Sequence, residues 1–369
     1  MRNKKILYIF GPGRLEKMSK DSHQAREFYY GYFDLKNKYN LNAFEASKDI
    51  SYRNGLRKIL HFYDRFIVKM TNFPSYSTEI ISFKNIKSYG NSQVAVFTSD
   101  ALFLSFLPIV FFYKIIGKKI NNIVITMGLL GKVPDRKFKK ITNKFFLKLV
   151  HFSADKFVFL GRGEYELAKE VFEKNMSKII HIPFCVDTEF WTKNSKRKKA
   201  GILFVGNDGK RDYDLLVKLV KKMKDQQFTF ISNFNFKYSA KNLRIIKGNW
   251  YEKLLSDEEM RNFYTDSKLT ILPIKQTYQP SGQSVGLQSI SCNTPILISK
   301  TNGFWGDNKF VSKYKVNFVS SNTVEEWSNA INNILNSYKS FELTNRELVE
   351  FTDEYNLKAF AQKLERLFD

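Results

Sequence analysis

Residues 267–303 read SKLTILPIKQTYQPSGQSVGLQSISCNTPILISKTNG, and this stretch decides the fold class. The apolar run 269–274 has the length and composition of a buried strand. A polar loop follows and closes on Pro280-Ser281-Gly282-Gln283-Ser284, after which Val285, Leu287, Ile290 and Ser291 recur at roughly helical spacing up to Asn293. A second strand at 295–299 completes a βαβ unit, whose ligand site is expected at the carboxyl end of the first strand. Ser281 or Ser284 falls near the helix N-terminus. Its unpaired amides and positive dipole end favour an anion such as a diphosphate. A plain structural crossover shows the same pattern, and the residues alone leave both readings open.

The run Leu287-Gln288-Ser289-Ile290-Ser291-Cys292-Asn293-Thr294-Pro295-Ile296 resembles the helix opening LEAMAxGxPV of the nucleotide-sugar loop in the retaining, GT-B-fold glycosyltransferases of family four. A second tract is similar to the same family. It reads SADKFVFL at 153–160, then a helix, then IIHIPFCVDTEF at 179–190, against the family's ADxVIxxS and IPNGVDTxxF. Phe184-Cys185 replaces Asn-Gly there, and Val186-Asp187-Thr188 is retained.

The resemblance implies an α/β, GT-B architecture of two Rossmann-like domains facing a cleft. Residues 1–190 would form the acceptor domain, 191–350 the nucleotide-sugar domain, and 351–369 a helix packing back on the first. It also implies transfer of a sugar from a nucleotide-diphosphate sugar to a glycan or lipid-linked acceptor in surface polysaccharide or glycolipid synthesis. In such enzymes the leaving diphosphate helps deprotonate the acceptor, so the protein mainly positions groups and stabilises charge. No cofactor or metal is expected, and no catalytic residue is singled out.

Carried over residue by residue, the resemblance names a donor site. The family's loop GRxxxxKG corresponds to Gly206-Asn207-Asp208-Gly209-Lys210-Arg211-Asp212, so Asn207, Lys210 and Arg211 face the diphosphate, Arg211 with a bidentate fork. Ser281, Gly282, Gln283 and Ser284 would complete the phosphate contacts. The family's two glutamates fall here on Pro280 and Gln288; the Gln288 amide retains a hydrogen bond for ribose. Asn249, Trp250 and Tyr251 lie near the nucleobase, and Gly11 and Gly13 form a loop over the cleft. A histidine common after the strand at 122–127 is absent, the chain reading Thr126-Met127-Gly128. His23, His151 and His181 are expected at the surface or in packing. Asp187 is expected in a turn or hinge, and Asp212-Tyr213-Asp214, although DxD in form, to cap a helix.

The flanking sequence supports a two-domain chain. At 369 residues it is long enough for two cores. Strands are expected at 5–10, 94–98, 122–127, 156–160, 201–205, 228–232 and 243–247. Helices are expected at 22–32, 101–113, 136–152, 164–174, 213–223, from Asp257 behind a Ser256–Glu259 capping box, 324–335 and 354–368. Gly11-x-Gly13 lacks the third glycine and later acid of a dinucleotide fingerprint. Cys185 and Cys292 match no zinc or CxxC spacing and suit a reducing compartment. No secretory signal is read at the N-terminus.

A net charge of +24 predicts attraction to something anionic, whether nucleotide, membrane or nucleic acid. The helix at 136–152 interleaves Lys137, Lys140, Lys144 and Lys148 with Phe138, Ile141, Phe145 and Phe152. Such a face suits an anionic membrane surface, here the cytoplasmic one, or plain solvation. The alternatives are another GT-B enzyme, such as a nucleotide-sugar epimerase, or a basic nucleic-acid binder. For the latter no motif is present and no specific nucleic acid is expected.

Overall fold

Short runs of consecutive apolar residues such as Val94–Phe97 and Ile296–Ser299 are strands buried on both faces, as parallel sheets demand. A computed structural model describes residues 2–20, 24–48, 54–131, 137–193, 198–248 and 255–369. The first sheet contains β1 (Arg2–Phe10), β2 (Tyr39–Glu45), β3 (Val94–Phe97), β4 (Asn121–Thr126), β5 (Lys156–Phe159) and β6 (Ile179–His181). Its order is β2-β1-β3-β4-β5-β6. The second contains β7 (Ile202–Val205), β8 (Phe228–Ile231), β9 (Leu243–Ile246), β10 (Leu269–Leu272), β11 (Ile296–Ser299) and β12 (Asn317–Val319), ordered β12-β11-β10-β7-β8-β9. All paired strands run parallel.

The second order reverses between β7 and β10. A crevice opens at the carboxyl ends of the strands flanking such a switch point. The loops after β7 and β10 therefore converge, as the resemblance implied. Asp212 N donates to Pro273 O at 2.9 Å and Lys275 N to Lys210 O at 2.8 Å, stitching them together.

One apolar core runs from Tyr8 and Ile125 of the first sheet through Phe184 and Trp191 to Leu203 and Leu272 of the second. Asp187 occupies a turn in this crossover, accepting from Arg26 N at 3.0 Å and Phe190 N at 3.2 Å. The C-terminal segment packs back on the first sheet. Tyr39 Oη donates to Glu365 at 3.0 Å, and Asn121 Nδ2 to Leu367 O at 2.9 Å.

Two helical expectations are corrected. Within 22–32 the described residues form only a 3-10 turn, Glu27–Tyr29, followed by left-handed Tyr30 and Gly31 and a short helix, Tyr32–Leu35. A Cβ on Gly31 would stand 2.9 Å from that of Ala361, so the C-terminal helix approaches too closely for a continuous helix bearing side chains there. The helix expected at 354–368 is two, Asn345–Tyr355 and Leu357–Glu365, because Asn356 turns out of the first and caps the second. β2 and the helix Asn54–Thr71 had no counterpart in the sequence reading.

Candidate functional site

A cavity of about 300 Å³ lies between the sheets at the switch point. The second domain contributes Val205, Asn207, Asp208, Arg211, Ile231, Gly248, Leu255, Met260, Tyr264, Ser284 and Gln288; the first contributes Lys17, Glu27 and Phe28.

Arg211 is fixed by its surroundings. It is 3% exposed, its Nη1 donates to Ser281 Oγ at 3.2 Å, and its Nη2 lies 3.7 Å from Asp208 Oδ2. Ser281 Oγ donates to the same Asp208 oxygen at 2.7 Å. Glycines make the space: a Cβ would stand 2.3 Å from Arg211 Nε at Gly206 and 2.9 Å from Nη1 at Gly282. Nε has no hydrogen-bond partner among the described residues. Gly282, at φ +78, turns the chain into the helix Gln283–Ser291 and caps it without a side-chain bond. The first-turn amides thus begin beside the guanidinium, and together they attract an anion.

The other expected residues divide. Ser284 and Gln288 line the cavity. Asn207 does too, but its amide is engaged: Nδ2 donates to Gly248 O at 2.8 Å and Oδ1 accepts from Ser232 Oγ at 3.1 Å. It braces the loops after β7, β8 and β9. Gln283 turns away, donating to Leu160 O of the first domain at 2.7 Å, so it ties the domains rather than meeting a phosphate. Lys210 does not line the cavity; its backbone joins the strand-like contact with Lys275, leaving the cavity-facing position to Arg211. Asn249, Trp250 and Tyr251 lie outside the described residues, although their neighbours Gly248 and Leu255 line the cavity.

Gly11 and Gly13 do not reach the cavity. Gly13, at φ +76, instead leads into the helix Arg14–Lys20, which presents Lys17. Pro280 packs on the first domain, where a Cβ on Gly161 would stand 2.6 Å from its own Cβ. Asp212 caps the helix Tyr213–Lys222, its carboxylate accepting from Leu215 N at 3.2 Å. His151 stacks against Phe172 and Phe157, which also stack on each other. His181 lies against Tyr165, and burial, aided by Arg162, lowers its pKa to about 4.

Glu27 escaped the sequence reading. It is wholly buried, accepting from Trp191 Nε1 at 2.9 Å and from Gln288 Nε2 at 2.8 Å. Burial pushes its carboxyl up to about 7, with the Gln288 amide opposing and Asp187 and Asp257 adding. The available signal was an acid heading the aromatic run EFYYGYF, whose tyrosines are buried. The lining includes Lys17 and Arg211 but also Glu27, Asp208 and Asp257, so the chain's excess positive charge lies elsewhere.

No family model and no curated protein sequence matches the chain. Solved structures do. A sucrose-phosphate synthase from Thermosynechococcus elongatus superposes with TM-score 0.68 at 12% identity, covering 99% of this chain and 98% of that one. A glycosyltransferase from Rickettsia africae gives TM-score 0.66 at 10% identity over 100% and 98% of the two chains. HepE of Anabaena, solved in complex with UDP-glucose, gives 0.65 at 8% identity over 98% of each. The fold is thus GT-B, two Rossmann-like domains across a cleft.

Proposed function

We propose that the chain is a glycosyltransferase whose donor, a nucleoside diphosphate sugar, binds in the interdomain cavity with its diphosphate on Arg211 and the amino end of the helix Gln283–Ser291. The observation carrying this reading is the buried guanidinium with an unpartnered Nε at the switch-point cavity. Val205, Ile231, Leu255 and Met260 offer the base an apolar wall. The solved relatives bound to UDP or UDP-glucose support the choice of ligand class.

The acceptor is lipid-linked, and the enzyme works at an anionic membrane surface in surface polysaccharide or glycolipid synthesis. In support, the helix Lys137–Ser153, which begins with Lys137 and carries Lys140, exposes Ile141 at 69% and Phe145 at 70%. Lys144 and Lys148 are exposed beside them. With Phe66, Met70 and Phe111, Ile141 and Phe145 line an apolar groove of about 610 Å³. An exposed apolar groove of this kind suits insertion at a membrane surface, and lysines beside it fit anionic headgroups. No helix among the described residues is long and apolar enough to cross a membrane, so attachment would be peripheral. Donor chemistry is retaining, requiring neither cofactor nor metal.

The test is release of nucleoside diphosphate from a panel of nucleotide sugars, with and without bacterial lipid extract. Release that requires both a particular donor and the lipid is expected. Conversion of the donor at the same rate without acceptor would favour an epimerase.

A further inference from the structure

Glu27 is the buried group that the diphosphate contacts leave unused. It belongs to the first domain, on the turn Glu27–Tyr29, and lines the cavity beside Gln288. Both side-chain hydrogen bonds it accepts fall on Oε1; Oε2 has no partner among the described residues. Gln288 cannot turn to relieve it, because its Oε1 accepts from Tyr264 Oη at 3.0 Å and its Nε2 is already given to Glu27. No cation forms an ion pair with Glu27 among the described residues. A buried carboxylate oxygen left open is costly, and a ligand hydroxyl is a neutral donor that satisfies it.

The position narrows the ligand. Gln288 stands six residues beyond Gly282, about 9 Å along the helix from the end where Arg211 lies. A ligand filling the cavity must therefore carry an anion at one end and hydroxyl donors near the other, beside the apolar wall. Resting on the donor reading above, we propose that Glu27 accepts from the ribose hydroxyls of the donor nucleotide, so that the first domain reaches across the cleft to hold a group bound by the second.

The test compares calorimetric affinity for UDP, and for any other nucleoside diphosphate that binds, with its 2′-deoxy and 3′-deoxy forms. Wild type should favour the ribonucleotide by about tenfold over at least one of them. In Glu27→Gln the amide oxygen still accepts from Trp191 and Gln288 while its NH2 faces the ligand, and the preference should fall to within about twofold. An unchanged preference in the variant would overturn the role of Glu27 while leaving the donor site standing. Wild type that binds all forms equally would overturn it even if the variant did not fold. Wild type that binds no nucleotide would overturn the donor reading itself.

Discussion

Gln288 Nε2 lies 2.8 Å from Glu27 Oε1, a hydrogen bond between positions 261 residues apart that joins the two domains across their cleft. It exposes closure to pH. Burial raises the Glu27 carboxyl to about 7, with Asp187 and Asp257 adding, against an ordinary value of 4.5. Cys185, Tyr30 and Tyr264 also face it, each raised by burial and so neutral. A carboxyl whose folded pKa is raised contributes stability that is full below the unfolded value and lost as pH rises through the folded one. Wild type should therefore lose on the order of 3 kcal/mol relative to Glu27→Gln between about pH 4.5 and 7.5. Thermal unfolding of both proteins across that range measures it; a difference independent of pH would contradict it.

Arg211→Ala should weaken nucleoside diphosphate binding by about 10- to 100-fold, the range for a charge-assisted hydrogen bond, and nucleoside binding by less than about twofold. Calorimetry with the paired ligands decides. Equal losses for both would remove Arg211 from the phosphate site.

Closure also depends on bare backbone at the cleft rim. A Cβ at Gly163 would stand 2.1 Å from Asn302 O. Gly163→Ala should cost about 1–3 kcal/mol and hold the domains apart. Small-angle scattering should show a larger radius of gyration, accompanied by weaker nucleotide binding. Gly55→Ala, where a Cβ meets nothing within 4 Å, should change neither.

Ile141→Ser combined with Phe145→Ser should abolish flotation with phosphatidylglycerol vesicles while nucleotide affinity stays the same. Lys144→Glu with Lys148→Glu should weaken flotation by about tenfold or more at low salt, since each lysine near the surface is worth about 1 kcal/mol. Unaltered flotation of both variants would move the membrane contact elsewhere.

What the sequence disclosed was what local patterning controls. The strands around 269–299 and the caps at Asp212 and Ser256 appear where short apolar runs and capping chemistry put them. Arg211 was legible through the resemblance of Gly206–Asp212 to the family's phosphate loop, and the switch point between β7 and β10 is what brings that loop to the cavity. Glu27 and Gln283 were not, since their partners lie in the other domain, Gln283 bonding Leu160 from 123 residues away. The helix expected at 22–32 fails at Gly31, which is pressed against Ala361, a contact no local pattern records.

The most direct test of a nucleotide-sugar site in this cleft is thermal unfolding against a panel of nucleoside diphosphates and their sugars, at low and moderate salt. At about a hundred times its dissociation constant a ligand should add roughly 2.7 kcal/mol. The expected result is stabilisation by one base class that survives moderate salt and falls to about 0.4–1.4 kcal/mol in Arg211→Ala at the same ligand concentration. Stabilisation by none of them, or by every polyanion alike and only at low salt, would contradict it.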